Sequence, residues 1–152
     1  MDLATSIETS SAKNGEMDGI SPKLAIIMIG TNNTSRHDKP DVIAEGVKAI
    51  CDKLKAKLPN TKILLLAIFP RSAKTTDAPR VNNEKANTLI AKLADEKRVF
   101  FLDFNSKFLE ADGTLTKEIM PDRLHPNEKG YTIWAEAIEP MVAKLMGDTP
   151  KK

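Results

Sequence analysis

Residues 24–33 read Leu-Ala-Ile-Ile-Met-Ile-Gly-Thr-Asn-Asn. Six apolar residues in succession suit a short strand covered on both faces, as the strands of a parallel sheet are. Gly30 ends the run and lets the chain turn sharply. Two more runs of this kind lie downstream, Ile63-Leu64-Leu65-Leu66-Ala67-Ile68 and Val99-Phe100-Phe101-Leu102. A helical pattern fills each interval. Ile43, Val47, Ile50, Leu54 and Leu58 recur at steps of three and four, with Pro40 near the start and Pro59-Asn60 at the close. Ala86, Leu89, Ile90, Leu93 and Ala94 mark a second helix, after a loop from Phe69 to Arg80. Asn105 to Pro126 reads as long and irregular, with room for a short helix near Thr116–Ile119. A last helix runs from about Asn127 to Met146, with Tyr131, Trp134, Ile138, Met141 and Leu145 on a core-facing side and Pro140 inside it. Strands alternating with helices predict right-handed crossovers and an α/β fold. The expected architecture is three-layer α/β/α, with parallel strands near 24–29, 62–68 and 99–103.

Outside this alternation the chain changes character. Residues 1–22 hold many Ser, Thr, Asp and Glu and few large apolar side chains, and they read as a mobile arm. The expected domain covers 23–147, and 148–152 form a polar tail. The 152 residues fit one domain. A net charge of +2, from 23 basic and 21 acidic residues, gives no reason to expect a nucleic-acid partner. Cys51 is alone, which excludes an internal disulfide and a cysteine-based zinc site. It lies in a helical run with no base nearby in sequence and reads as structural. No apolar run approaches the roughly 20 residues that span a bilayer. The N-terminal stretch lacks a basic start and an apolar core, so the expectation for the chain as it stands is cytoplasmic.

In open parallel sheets ligands bind beyond the carboxyl ends of the strands. Two segments there carry chemistry. Asp122-Arg123-Leu124-His125-Pro126 precedes the last helix, and an Asp three residues before a His can accept from imidazole Nδ1 and leave Nε2 as a base. Read alone, it is equally a helix-capping loop with an incidental histidine. Gly30-Thr31-Asn32-Asn33 offers a side-chain amide that can donate to a developing oxyanion, or else an ordinary polar turn. His37 and Asp38, and Arg71 and Ser72, follow strands at the same end and either line a pocket or lie in surface loops. A metal module built from His37, Asp38, Asp122 and His125 is poorly supported, since two histidines without a cysteine pair make a thin site.

Taken together, Gly30-x-Asn32 after a parallel strand and Asp122-x-x-His125 before the last helix resemble the third and fifth blocks of the SGNH (GDSL-type) hydrolases. The stretches LAIIMIGTNN, KILLLAIFPR and RLHPNEKGYTIWAEAIEP resemble the platelet-activating-factor acetylhydrolase-like esterases of that family, and the likeness runs from about Asn14 to Met146. The resemblance implies a flavodoxin-like sheet and an ester hydrolase acting on a carboxylic ester or a sugar acetyl ester. It implies that His125 is the base, that Asp122 orients it, and that Gly30 and Asn32 belong to the oxyanion and substrate-binding side. No cofactor and no metal are implied.

The family's first two blocks, the Gly-Asp-Ser nucleophile and the oxyanion glycine, belong upstream of Gly30. Only Met1 to Ile29 precede it, and no Gly-Asp-Ser occurs in the chain. Ser6, Ser10 and Ser11 stand in a polar stretch without a strand or glycine before them, so the nucleophile is unassigned. The chain therefore looks N-terminally truncated, without the fold's first strands, and impaired in activity. The alternative is an inactive hydrolase fragment that serves as a binding or interaction module. In either case the strand at 24–29 becomes an open sheet edge, which invites self-association.

Overall fold

The apolar runs pair side by side. β1 (Leu24–Ile27), β2 (Lys62–Leu66) and β3 (Val99–Leu102) form one parallel sheet in that order, with Leu24 opposite Lys62 and Ile63 opposite Val99. The computed structural model describes residue 15 and residues 17–149; the rest of the expected arm, with Ser6, Ser10 and Ser11, lies outside the described residues. Helices α1 (Thr31–Ser35) and α2 (Pro40–Lys57) connect β1 to β2, α3 (Ala78–Ile90) connects β2 to β3, and α4 (Glu128–Met146) closes the chain.

The two-residue period of the strands sorts their side chains onto two faces. Ile27, Ile63, Leu65, Val99 and Phe101 join Ile43, Val47 and Cys51 of α2 and Ala86 and Ile90 of α3. Leu24, Leu64, Leu66, Phe100 and Leu102 join Trp134, Ile138, Met141 and Leu145 of α4. That is the three-layer arrangement the pattern predicts. Burial pushes the Cys51 thiol up to about 11, which keeps it neutral.

β2 is buried from Ile63 onward, whereas β1 is only half-covered and leaves Ile26 44% exposed. Among the described residues no strand pairs with the outer edge of β1.

Elements depart from the sequence reading in definite ways. α3 begins at Ala78, inside the expected loop, because Pro79 falls in its first turn, where a missing N–H costs nothing. The stretch at Thr116–Ile119 is a single turn closed by Met120 N–H to Thr116 O at 3.2 Å. The segment after β3 is irregular, as expected, yet it packs into the core. It contributes Phe104 and Phe108, which meet Phe69 edge-on at 5.6 and 4.9 Å, and it buries Leu115 and Met120. α4 runs unbroken through Pro140, is capped by Asn127 accepting from Gly130 N–H at 3.1 Å, and ends at left-handed Gly147.

The ladder of β2 stops where α3 intercepts it. Asn87 Oδ1 accepts the Ile68 N–H at 2.7 Å, and Asn87 Nδ2 donates to Ile68 O at 2.9 Å, so one amide replaces a strand neighbour. Asn105 Nδ2 also donates to Ile68 O at 2.9 Å, and Asn83 Nδ2 to Phe69 O at 3.1 Å. Asn87→Leu leaves the Ile68 N–H buried without an acceptor. We expect a loss of about 2–3 kcal/mol in urea unfolding; a loss under about 0.5 kcal/mol would show that the clamp is dispensable.

Candidate active site

Arg123 adopts a left-handed φ of 55° and folds the segment before α4 into a tight turn. Within it Asp122 Oδ1 accepts the backbone N–H of Leu124 at 3.0 Å and of His125 at 2.8 Å, while Oδ2 meets His125 Nδ1 at 2.6 Å. Asn127 pins the turn to the start of α4: its N–H donates to Ile119 O at 3.0 Å and its Nδ2 to Glu118 O at 2.8 Å. The Asp122 and His125 side chains are 54% and 77% exposed, and no described group bonds His125 Nε2.

The His125 side-chain bond, then the His125 backbone N–H, holds the Asp122 carboxyl at about 2. A depressed carboxylate contributes stability above its unfolded value near 4, and that contribution is lost as pH falls through about 2. Hence the turn should persist at pH 4, and the Asp122 carboxyl carbon should titrate near pH 2 by NMR. A midpoint near 4 would mean that the bond to His125 does not hold in solution.

At the other strand, Gly30 has φ 123° and caps α1. A Cβ there would lie 2.6 Å from Ile68 Cδ1 and 2.8 Å from Ile43 Cγ2. Asn32 follows, itself exposed, in the first turn of α1, with its side-chain amide bonded to no described residue. Asn33 turns inward instead and donates to Asp38 Oδ2 at 2.9 Å. Asp38 also pairs with Arg36 at 3.7 Å, so it braces the α1–α2 connection, and His37 stands exposed beside it in a left-handed turn. Among the described residues no three His, Cys, Asp or Glu are grouped to hold a metal.

The loop after β2 joins the two turns. Arg71 Nη1 donates to Thr31 O at 2.8 Å, Thr31 Oγ1 at 3.2 Å and Ser35 Oγ at 2.8 Å. The next residue, Ser72, donates its N–H to Arg123 O at 3.0 Å. The Gly30–Asn32 turn and the Asp122–His125 turn thus meet at the carboxyl end of the sheet through Arg71 and Ser72. No hydrogen bond joins Asn32 directly to Asp122 or His125. A groove of roughly 520 Å³ between α3 and the segment after β3 includes none of the four candidate residues.

The bracing asparagines escaped the sequence reading, though a signal existed. Asn83 and Asn87 stand four apart on the face of α3 that also carries Ala86 and Ile90, where a polar side chain needs a buried partner. The expected core role of Tyr131 and Trp134 divides: Trp134 meets Phe69 edge-on at 4.8 Å, whereas Tyr131 is 56% exposed and stacks on Trp134.

This geometry accompanies a match of residues 3–133 to the GDSL-like lipase/acylhydrolase family. The chain belongs to that family. It is 31% identical over 135 residues to the platelet-activating factor acetylhydrolase IB subunit alpha1 of Bos taurus, covering 88% of this chain and 57% of that protein. It is 30% identical over 141 residues to the alpha2 subunit of Rattus norvegicus, covering 92% and 60%. This GDSL-like chain therefore spans less than two thirds of the length of those relatives. Among solved structures, an acetyl esterase variant with acetate ion superposes with a TM-score of 0.71 at 24% identity, over 96% of this chain and 67% of that one. A carbohydrate esterase family 3 protein from Talaromyces cellulolyticus does so with 0.69 at 23%, over 96% and 69%. The parallel α/β fold is the SGNH hydrolase fold. No helix among the described residues is long and apolar enough to cross a membrane.

Proposed function

We propose that this GDSL-like chain is an ester hydrolase acting on a small carboxylic ester or an acetylated sugar, with reduced activity. The 2.6 Å bond between Asp122 and His125 carries the reading, because it fixes the imidazole tautomer and leaves Nε2 free to take a proton. Asn32, on a turn tied to the same end of the sheet, supplies an amide for the developing oxyanion. The chemistry requires no metal and no cofactor.

No Gly-Asp-Ser occurs within these 152 residues, so we expect them to turn over slowly when assayed on their own. Loss of the nucleophile from a serine-protease triad costs about a million-fold in turnover, and oxyanion donors alone retain a small part of the rate. The open outer edge of β1 favours a second reading, an inactive hydrolase fragment acting as an interaction module. Assay of the purified chain with a chromogenic acetyl ester separates the two. We expect slow turnover that falls to buffer background in His125→Ala. Turnover unaffected by that substitution would remove His125 from the chemistry, and none at all would favour the interaction module. Robust turnover abolished by both His125→Ala and one of Ser6→Ala, Ser10→Ala or Ser11→Ala would show that the N-terminal arm supplies a full nucleophile.

A further inference from the structure

The groove between α3 and the segment after β3 plays no part in the candidate active site, yet its lining is polar in a specific way. Arg80 lines it with a side chain only 2% exposed. A guanidinium is donor-only and costly to bury unless its N–H groups are matched. Its Nε donates to Glu84 Oε1 at 2.7 Å and its Nη2 to Gly113 O at 3.2 Å, but Nη1 is buried without a partner among the described residues. Asn105 lines the same groove. Its Nδ2 is committed to Ile68 O at 2.9 Å, whereas its Oδ1 is buried without a partner among the described residues. The groove wall therefore carries an unmatched donor and an unmatched acceptor, each on a side chain that its other bonds hold in place. Buried polar atoms are rarely left so, and each such pair calls for a partner from outside the fold.

The remaining lining selects the partner. Glu84 and Asp103 set two carboxylates against one guanidinium, so an anion is repelled. The Arg80 charge opposes a metal cation, and no three His, Cys, Asp or Glu are grouped among the described residues. A neutral hydroxyl both accepts and donates, so hydroxyls answer Arg80 Nη1, Asn105 Oδ1 and the carboxylates together. Phe101 and Leu109, both half-buried, add apolar surface on which the C–H face of a sugar ring packs. The volume of roughly 520 Å³ falls within the range of small-molecule sites, about 300–1,000 Å³. We propose that this groove is a saccharide-binding subsite, separate from the Asp122–His125 turn, that takes a neutral mono- or disaccharide through its hydroxyls. Arg80 Nη1 donates to a ligand oxygen, and ligand hydroxyls donate to Asn105 Oδ1, Glu84 and Asp103. The subsite goes beyond the ester-hydrolase reading and does not depend on it, since no bond is made or broken in the groove.

Two-dimensional NMR of the whole chain, following the Asn105 side-chain amide and the Arg80 Nε–H, tests this with cellobiose, maltose and xylobiose, none of which carries an ester. We expect saturable shifts of both signals with at least one of these sugars, at a Kd of about 10 mM or tighter. Inorganic phosphate at the same concentrations should leave both signals in place. Thr88→Trp fills the groove from an exposed position on α3 and should weaken the sugar binding at least about tenfold. Arg80→Lys removes Nη1 and should weaken it likewise; where burial of the lysine unfolds that variant, Thr88→Trp alone decides. Signals unmoved by all three sugars overturn the subsite and leave water as the partner of these atoms. Shifts produced by phosphate instead overturn it as well, because the site is then one for anions. So do sugar shifts that survive Thr88→Trp, which place the sugar elsewhere. Acetyl ester turnover and its need for His125 are read separately, so failure of the subsite leaves the hydrolase reading standing.

Discussion

Gly30→Val lowers the stability of the chain by about 4 kcal/mol, combining a strained φ with overpacking. Gly30 sits at φ 123°, which side-chain-bearing residues avoid, and a Cβ would meet Ile68 Cδ1 at 2.6 Å and Ile43 Cγ2 at 2.8 Å. Neither isoleucine can swing aside, because Ile43 of α2 and Ile68 after β2 are both buried in the same core cluster. The protein keeps the glycine where β1 must pass close under Ile68 and turn at once into α1. A net stability of about 5–15 kcal/mol is usual, so the variant loses a large share of its total. Urea unfolding followed by circular dichroism measures this. A midpoint shift equivalent to less than about 1 kcal/mol would mean that the chain does not turn at Gly30 as described.

The second large effect concerns the edge of the sheet. We expect the purified chain to associate with itself, and Ile26→Lys to weaken that association at least about tenfold. The outer edge of β1 is unpaired among the described residues, and Ile26 beside it is 44% exposed. Two such edges can meet about a two-fold axis and satisfy each other's backbone groups. A lysine introduces charge at the seam without disturbing the core, since the position is already exposed. Sedimentation velocity across a concentration series reads the outcome. A monomer at every concentration would show that this edge is masked.

The sheet was legible because its strands are runs of large apolar residues, and Leu64 and Phe100 have nowhere to go but a core. The Asp122–His125 contact was legible for a local reason: three residues of spacing suffice to bring the groups together. What escaped is what depends on distant partners. Nothing near Arg71 in the sequence announces that its guanidinium reaches back 40 residues to Thr31. Likewise, nothing near Ser72 announces that its N–H reaches an acceptor on Arg123. The start of α3 is hard to read from the sequence because the prolines at 70 and 79 both suit a loop, although only the first lies in one.

The asparagine clamp at the end of β2 has a consequence for change. Asn83, Asn87 and Asn105 hold residues 68 and 69 through main-chain atoms alone. A carbonyl and an amide are the same on every residue but proline, so the clamp is indifferent to the side chains it grips. The lining of this end of the sheet can drift in shape and polarity while its frame stays fixed.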